Sequence, residues 1–266
     1  MGKRGLKVIL GFCLYKTGIY RWFLRDTCII ALFHRLDNDM ANCGITMSVK
    51  KFQRYCDFFQ KYFLVIKLEE LLKRLEAGQD ISRHAVITFD DGYKDNYELA
   101  AKELTDRRLS ACFFIATGFI NTTRIPFWDE EKSIHTMWMS WNDVRKLYEQ
   151  GFEIGAHTVN HIDLGKISGE ESTNEITNSK RILEIELGIP DLACFSYPFG
   201  GKHHMLKENV EIVRKAGFKS CLSAYGGVVT PHSDLFDLNR IPITNWYISP
   251  YQFGFELIYR YFRESK

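Results

Sequence analysis

Two aspartates stand side by side where an apolar run ends, in the stretch "VITFDDGYKDN" at 86–96. The residues before them are typical of a buried strand, and Gly92 is typical of the turn that ends it. A buried carboxylate is costly unless it is paired or bound to a metal. By themselves Asp90 and Asp91 stay ambiguous, because such a pair could cap a helix, lie in a solvated turn, or hold Mg²⁺ in a phosphoryl- or glycosyl-transfer enzyme.

Two histidines, His157 and His161, stand four residues apart in "GAHTVNH". In a helical turn this spacing places both imidazoles on one face, where they could bind one metal ion, although the spacing also arises by chance. Two histidines and one carboxylate form a ligand set that leaves coordination positions open for water and substrate. Because adjacent strand residues point in opposite directions, one aspartate could bind the metal while its neighbour acts as a base.

Short apolar runs alternate with amphipathic stretches along the chain, which indicates a parallel sheet covered on both faces. Ser140 before the last amphipathic stretch, with Asp143 three residues on, predicts a helix start with a capping box. The predicted strands are 28–34, 85–91, 110–118, 152–158, 192–199, 219–226 and 237–243, and the predicted helices include 49–62, 96–108 and 140–151.

About seven strands in this order suit either a barrel or a doubly wound sheet. In both folds the active site lies beyond the carboxyl ends of the strands. His34, the aspartate pair, His157 and the stretch "YPFGG" all stand at such ends. The polar residues therefore fall where a parallel α/β fold builds its site.

Charge and cysteine content restrict the function classes. The chain has 35 basic and 33 acidic residues, which gives no general argument for nucleic-acid binding, and we expect no nucleic-acid partner. The seven cysteines form no CxxC pair, and several lie in apolar runs. This pattern indicates reduced, buried thiols in a cytoplasmic protein rather than a disulfide framework.

The first 27 residues are basic and aromatic. The run Val8–Tyr15 resembles a signal peptide, but Lys16 interrupts it, no cleavage pattern follows, and it falls short of the roughly 20 residues that span a bilayer. Two interpretations stay open: a packed helix, or a segment on an anionic membrane surface. The stretch 249–266 is a second aromatic, basic segment. We expect a cytoplasmic protein without a cleavable signal, free or in peripheral contact with the inner membrane face.

Three motifs occur in order: "TFDDG" at 88–92, "HTVNH" at 157–161 and "FSYPFG" at 195–200. They resemble the first three motifs of the NodB-homology polysaccharide deacetylases, carbohydrate esterase family four, in the subgroup with a YP(F/Y)G third motif. The resemblance implies an α/β fold, a deformed (β/α) barrel of about seven parallel strands. It also implies a deacetylase domain at 28–248, between a basic helical segment at 1–27 and a terminal helix at 249–266.

The same resemblance implies a hydrolase that removes N-acetyl groups from an amino-sugar-containing glycan or precursor with Zn²⁺, or another divalent ion such as Co²⁺ or Ni²⁺. Asp90 matches the family's catalytic base, and Asp91, His157 and His161 match its metal ligands. Phe199 matches the position whose backbone N–H helps bind the oxyanion, an interaction worth roughly 3–4 kcal/mol in a comparable site. The ion would polarise the acetyl carbonyl and acidify water, and the base would take the proton.

Two departures from the family pattern concern the catalytic groups. Ser196 stands where the family has an arginine that orients the base; Arg240 in "LNRIPI" could supply that guanidinium, or form a surface salt bridge. No histidine follows His232, so the family's later motif with the general acid is absent. His34 is the candidate replacement, and a purely structural histidine is the alternative.

Tyr197, Pro198, Trp128 and Trp141 are the candidate substrate contacts, although both tryptophans suit core packing equally well. The expected partner is an N-acetylated glycan or a lipid- or nucleotide-linked sugar, and the sequence carries no signal for an oligomeric state. Two other functions stay open: hydrolysis of another amide on the same fold, and carbohydrate binding with little turnover. Asp90 argues against the second, because metal binding does not require it.

Overall fold

A parallel sheet curled into a deformed barrel forms the centre of the protein. The structure is a computed structural model that describes residues 2–38, 44–131 and 134–264, with side chains up to residue 259. The strands are β1 Cys28–Phe33, β2 Arg35–Leu36, β3 Thr46–Met47, β4 Leu64–Val65, β5 His84–Phe89, β6 Cys112–Ile115, β7 Glu153–Ala156, β8 Cys194–Ser196, β9 Ser220–Leu222 and β10 Ile241–Pro242. The barrel order is β10-β1-β5-β6-β7-β8-β9, with β4 beside the start of β5 and β2 paired with β3.

Helices cover the outside of the barrel and one end of it. Ser140 and Asp143 form the predicted capping box, with each side chain accepting the other residue's backbone N–H. The pattern at 96–108 forms a π-helical turn, Asn96–Ala100, followed by a short α-helix. The helices are α1 Lys3–Lys16, α2 Tyr20–Phe23, α3 Val49–Tyr62, α4 Leu68–Glu76, α5 Ala101–Asp106, α6 Phe127–Glu130, α7 Trp141–Glu149, α8 Gly169–Leu187, α9 Lys207–Lys215 and α10 Pro250–Glu264, with a 3₁₀ turn at Lys202–His204.

The segment 235–242 closes the barrel. At one end Leu238 donates its N–H to the carbonyl of Cys221 in β9, 3.1 Å away. At the other end β10 pairs with β1 in parallel register. The strand predicted at 237–243 is therefore divided between the two edges of the sheet. Arg240 lies at the division.

The pleat of the strands separates two apolar cores. Alternate residues such as Ile30, Val86 and Phe114 form one core cluster inside the barrel, and leucines of α4 belong to it. The intervening strand residues pack outward beneath the helices in a larger cluster. Continuing the alternation from Val86 along β5 places Asp90 on the interior side. The fold itself thus directs this carboxylate into the barrel.

Helices α1 and α10 pack against each other beside the barrel. A Cβ at Gly11 would collide with the backbone carbonyl of Tyr251, so only glycine allows this close approach. Phe253 of α10 belongs to the main core. Among the described helices, none has the length and apolar character needed to cross a membrane. The cysteines of the described ranges are unpaired, and all except Cys13 are buried, as expected; Cys43 lies outside those ranges.

The partly buried carboxylate of Asp95 joins β2 to the segment that follows β5 and gives a prediction on stability. Oδ1 of Asp95 accepts the N–H of Leu36 at 2.8 Å and Nδ2 of Asn96 at 2.9 Å. Burial raises the pKa of Asp95 to about 7, against these hydrogen bonds and the charge of Arg35; Asp37 raises it further. Because an unfolded aspartate has a pKa of about 3.9, the contribution of Asp95 to stability falls as the pH rises from about 4 to 7.

We therefore expect Asp95→Asn to raise the free energy of unfolding at pH 8 by about 1–3 kcal/mol relative to the wild type, with little difference near pH 4. Urea denaturation at both pH values measures the difference. Asp106→Asn, on the exposed end of α5, is the control and should change little at either pH. An equal effect of Asp95→Asn at both pH values would contradict the raised pKa.

Candidate active site

Four residues predicted from the sequence converge at the carboxyl ends of the parallel strands. Asp90 and Asp91 follow β5, and His157 follows β7, which lies two strands further along the sheet, beyond β6. Oδ1 of Asp91 lies 3.4 Å from Nε2 of His157 and 3.2 Å from Nε2 of His161. One possible ligand atom from each of these three residues lies within 4.8 Å of the others.

The segment that carries the two histidines is an irregular turn after β7, not the helical turn for which their spacing was considered. Thr158 and His161 have left-handed φ values of 63° and 54°. The carboxylate of Glu175 in α8 accepts the N–H groups of Val159 and Asn160 at 2.9 and 2.8 Å. The turn, held by α8, brings the two imidazole rings to a centroid distance of 4.9 Å.

A turn also separates the two aspartates. Asp90 continues the alternation of β5, and its N–H donates to the carbonyl of Phe33 in β1. Asp91 has a φ of 80°, in the left-handed region, and Gly92 follows at 95°. The adjacent carboxylates therefore point to different partners because the strand ends between them, in addition to the pleat expected from the sequence.

The cluster of Asp91, His157 and His161 has the donor set of a divalent metal site. Nδ1 of His157 lies 2.8 Å from the carbonyl oxygen of Ser196, which can only accept, so Nδ1 carries the hydrogen and Nε2 faces Asp91. Oδ1 of Asp91 is buried and has no well-aligned hydrogen-bond donor among the described residues. Burial raises the pKa of Asp91, but the two histidines outweigh it and hold that pKa well below its ordinary value. The carboxylate oxygen of Asp91 and one imidazole nitrogen from each histidine converge on one position, and this set of ligand atoms fits a divalent metal ion.

Arg240 holds Asp90 through a buried bidentate ion pair. Nη1 and Nη2 lie 2.7 and 2.6 Å from the two carboxylate oxygens. Nη2 also donates to Oγ of Ser196 at 2.6 Å, and Nε donates to the carbonyl of Ser223. Arg240 is fully buried, which excludes the surface salt bridge considered from the sequence. Burial raises the pKa of Asp90, but the charge and hydrogen bonds of Arg240, together with the charges of His157 and His34, outweigh this effect and keep that pKa below its ordinary value.

His34 reaches the same pocket from the end of β1, which pairs with β5 as expected. The pocket over the cluster is lined by His34, Asp90 and Asp91 together with both cluster histidines. Burial lowers the pKa of His34, and the charges of Asp91 and Asp90 act in the opposite direction. The placement brings His34 beside the predicted base, while its role as general acid stays a prediction.

The structure brings only some of the predicted substrate contacts to the pocket. The Trp128 and Phe199 rings lie 4.7 and 5.0 Å from the His161 ring, and both residues line the pocket. Tyr197 lines it too but is buried. Pro198 is buried and lines none of the described pockets near the cluster. Trp141, at the start of α7, packs against the main core and lies apart from the pocket.

The structure adds a buried ion pair that the sequence analysis missed. Both Arg35 and Asp129 line the pocket, and their side chains meet in bidentate geometry at 2.9 and 2.8 Å. Oγ1 of Thr136 donates to Asp129 at 2.6 Å, and the guanidinium lies 4.9 Å from the Tyr93 ring centroid. The only signal was an acid in the aromatic stretch "PFWDE". The pair spans 94 residues, so the fold alone brings it together.

Comparison with known proteins agrees with this geometry. The family model described as "Polysaccharide deacetylase" matches residues 77–221, which is 145 of the 266 residues. The chain belongs to the polysaccharide deacetylase family. In this family member the matched range holds Asp90, Asp91 and both cluster histidines but ends before Arg240. Whether the chain lies in the YP(F/Y)G subgroup stays a prediction.

The curated relatives of this deacetylase-family chain are distant and longer. The poly-beta-1,6-N-acetyl-D-glucosamine N-deacetylase of Staphylococcus aureus is 25% identical over 189 residues, which cover 68% of this chain and 61% of that protein. YxkH of Bacillus subtilis is 22% identical over 159 residues, covering 60% of this chain and 51% of that protein. The chain thus spans about half to three-fifths of the length of these relatives.

Solved structures confirm the predicted fold. The Streptococcus pyogenes deacetylase PplD, in complex with acetate, aligns with a TM-score of 0.72 at 21% identity over 87% of this chain and 98% of that chain. IcaB from Ammonifex degensii aligns with a TM-score of 0.72 at 18% identity over 85% of this chain and 97% of that chain. At these identities the likeness shows the shared fold, the deformed barrel of polysaccharide deacetylases.

The Asp90–Arg240 pair gives a prediction that needs no metal or substrate. Arg240→Met leaves a buried carboxylate without its counter-charge, so we expect the free energy of unfolding to fall by about 3–5 kcal/mol. Adding Asp90→Asn removes that charge and should restore a large part of the loss. Guanidinium denaturation of the metal-free wild type, single variant and double variant measures both changes.

Arg214→Met is the matched control. Arg214 pairs with Asp234 at 3.2 Å on the surface, where an ion pair contributes only about 0–1 kcal/mol. If Arg240→Met cost no more than this control, or if Asp90→Asn made the loss deeper, the buried pair would not have the energetic role assigned to it.

Proposed function

We propose that this chain is a metal-dependent hydrolase that removes N-acetyl groups from an amino sugar in a glycan or glycan precursor. The observation that carries the proposal is the cluster of Asp91, His157 and His161 beside the Arg240-held Asp90 in one pocket. Membership of the polysaccharide deacetylase family supports the reaction class. The relative named as a poly-beta-1,6-N-acetyl-D-glucosamine N-deacetylase supports an N-acetylated sugar as the substrate.

In the proposed enzyme, Asp91, His157 and His161 would hold the ion, with Zn²⁺ preferred and Co²⁺ or Ni²⁺ as alternatives. Such an ion supplies Lewis-acid chemistry, polarising a carbonyl and lowering the pKa of water. The Ser196 carbonyl fixes the His157 ring so that Nε2 faces the site. A fixed ring lowers the cost of ordering the ligand when the ion binds.

Asp90 would take the proton from the attacking water. Its Oδ2 lies 3.7 Å from Nε2 of His157, which makes it the carboxylate oxygen that faces the cluster. A carboxylate oxygen can accept more than one hydrogen bond, so Oδ2 can contact the Arg240 guanidinium and a water together. Arg240 would keep the carboxylate ionised and fix its orientation.

The remaining groups would act on the sugar and its leaving amine. His34 lies in the same pocket and would protonate the amine from its imidazolium form, which the charges of Asp91 and Asp90 favour against the effect of burial. The backbone N–H of Phe199 would stabilise the oxyanion. The exposed ring of Phe127 and the partly buried ring of Trp128 would provide apolar faces for the sugar.

The two other functions are hydrolysis of a different amide on this fold and carbohydrate binding with little turnover. The buried Asp90–Arg240 pair supports turnover, because the three metal ligands need neither residue. Free thiols in the described ranges support a cytoplasmic location, also as a proposal, and with it a lipid- or nucleotide-linked precursor as substrate.

Loss of a ligand tests the metal site. We expect His161→Ala to abolish stoichiometric binding of Zn²⁺ while the fold persists, because two remaining ligands bind a divalent ion weakly. Metal analysis after dialysis against Zn²⁺ measures the ratio, and circular dichroism checks the fold. His204→Ala, a histidine outside the cluster, should keep the wild-type ratio. Unchanged metal content in His161→Ala would remove this residue from the ligand set.

Loss of the base separates catalysis from metal binding. Asp90→Asn should retain the metal but lower acetate release from N-acetylated sugars by about 100-fold or more, because water loses its proton acceptor. Asp163→Asn, outside the cluster, should stay near wild-type activity, and a chelator should abolish release in both active proteins. Activity of Asp90→Asn within about tenfold of the wild type, a barrier change of ~1.4 kcal/mol, would mean that Asp90 is not the base.

A further inference from the structure

Helix α1 presents an apolar stripe to solvent. Leu6, Ile9, Leu10 and Cys13 stand at positions i, i+3, i+4 and i+7, the spacing that places side chains on one helix face. The first three are 48%, 47% and 41% exposed, and Cys13 is exposed too. A helix on a globular protein ordinarily turns such a stripe inward.

The opposite face of α1 is already occupied. Gly11 and Tyr15 are buried on that face, against Tyr251 and Gly254 of α10. The apolar stripe is therefore not needed to attach α1 to the barrel. The exposed stripe keeps a regular helical spacing on the side of α1 that faces solvent. Such a surface is suited to an apolar environment outside the protein.

Further exposed apolar side chains follow along the chain into α2. Phe12 is exposed beside the stripe, Ile19 is exposed just before α2, and Trp22 in α2 is 67% exposed. Tryptophan is favoured where an apolar phase meets water, because its ring is apolar and its N–H needs a polar partner. We call the exposed side chains of Leu6, Ile9, Leu10, Phe12 and Trp22 the α1–α2 face.

Positive charge surrounds the α1–α2 face. From Gly2 to Arg25 the chain has no acidic residue. Lys7 pairs with Glu256, and Arg25 contacts Asp26, but Lys3, Lys16 and Arg21 are exposed. Apolar side chains with cations around them match an interface of acyl chains and anionic headgroups. A second copy of the chain would instead bring like charges together, which disfavours self-association through this face.

We propose that the α1–α2 face binds the surface of an anionic membrane, with α1 lying in the plane of the interface.

Contacts also connect α1 with the pocket end of the barrel. The guanidinium of Arg4 lies 4.0 Å from the ring centroid of Trp246, in the loop after β10. Asn245, the residue before Trp246, donates to the carbonyl of Thr46, and Ile45, the residue before Thr46, lines the pocket. The membrane face is therefore connected to the pocket end of the barrel through a short series of contacts.

Vesicle sedimentation of the intact protein, without substrate, tests the proposal independently of any deacetylase activity. We expect binding to vesicles of phosphatidylcholine mixed with phosphatidylglycerol at low salt, weaker binding at high salt, and little binding to phosphatidylcholine alone. No sedimentation with the anionic vesicles at low salt would overturn the proposal. Equal binding to neutral vesicles would overturn it as well, since the charges would then have no role.

Variants assign the binding to this face. Leu6→Ser, Ile9→Ser and Leu10→Ser combined should lower the partition coefficient about 100-fold or more, because three apolar side chains no longer enter the interface. Lys16→Gln with Arg21→Gln should lower it about fivefold for each charge removed. The control Ile185→Ser changes an apolar residue on α8 that is 65% exposed and should bind like the wild type.

Sedimentation equilibrium without lipid distinguishes a membrane from a second copy. Equal masses for the wild type and the triple serine variant support the membrane. A wild-type dimer that the triple variant dissociates would overturn the proposal in favour of self-association. If the triple variant loses its circular dichroism signal, the charge variant and the lipid dependence of the intact protein still decide the outcome.

Discussion

The ion pair between Arg240 and Asp90 connects the closure of the barrel with the site. A guanidinium this deeply buried needs hydrogen-bond acceptors on all sides, and it has a carboxylate, a hydroxyl and a backbone carbonyl. It reaches them only because the segment 235–242 spans both edges of the sheet. Ser196 contributes by being small, since a long side chain there would occupy the space of the guanidinium. One interaction therefore fixes the predicted base and holds the last strand in place.

The site itself is built on turns in a left-handed conformation. Asp91, Thr158, His161 and Phe199 all have positive φ values although none is glycine. Each such residue costs of order 1 kcal/mol or more and persists only where its surroundings determine it. Here the surroundings are the strand ends and the Glu175 carboxylate of α8. The rigid barrel thus supports turns that aim side chains in directions which a regular strand or helix would not allow.

Helix α1 shows why a sequence pattern can leave two interpretations open. Its inner face packs on α10 and its outer face is apolar as well, so the segment is hydrophobic on both sides. A packed helix and a membrane-surface helix each account for half of that pattern. The structure assigns the inner residues to packing. Packing does not explain the exposed apolar residues on the outer face or the cations near them, and the proposed membrane contact rests on these groups.

Local features of this protein could be predicted from the sequence alone. The strand runs, the Ser140 capping box and the polar residues at strand ends depend on neighbours a few positions apart, and the three motifs identified the family correctly. The tertiary structure decided which distant groups meet. Arg240 is 150 residues from Asp90, and Arg35 is 94 residues from Asp129. It also decided that 157–161 is a turn and that Trp128, rather than Trp141, lies at the pocket. These outcomes depend on barrel closure and on contacts with distant elements such as α8, which no local spacing encodes.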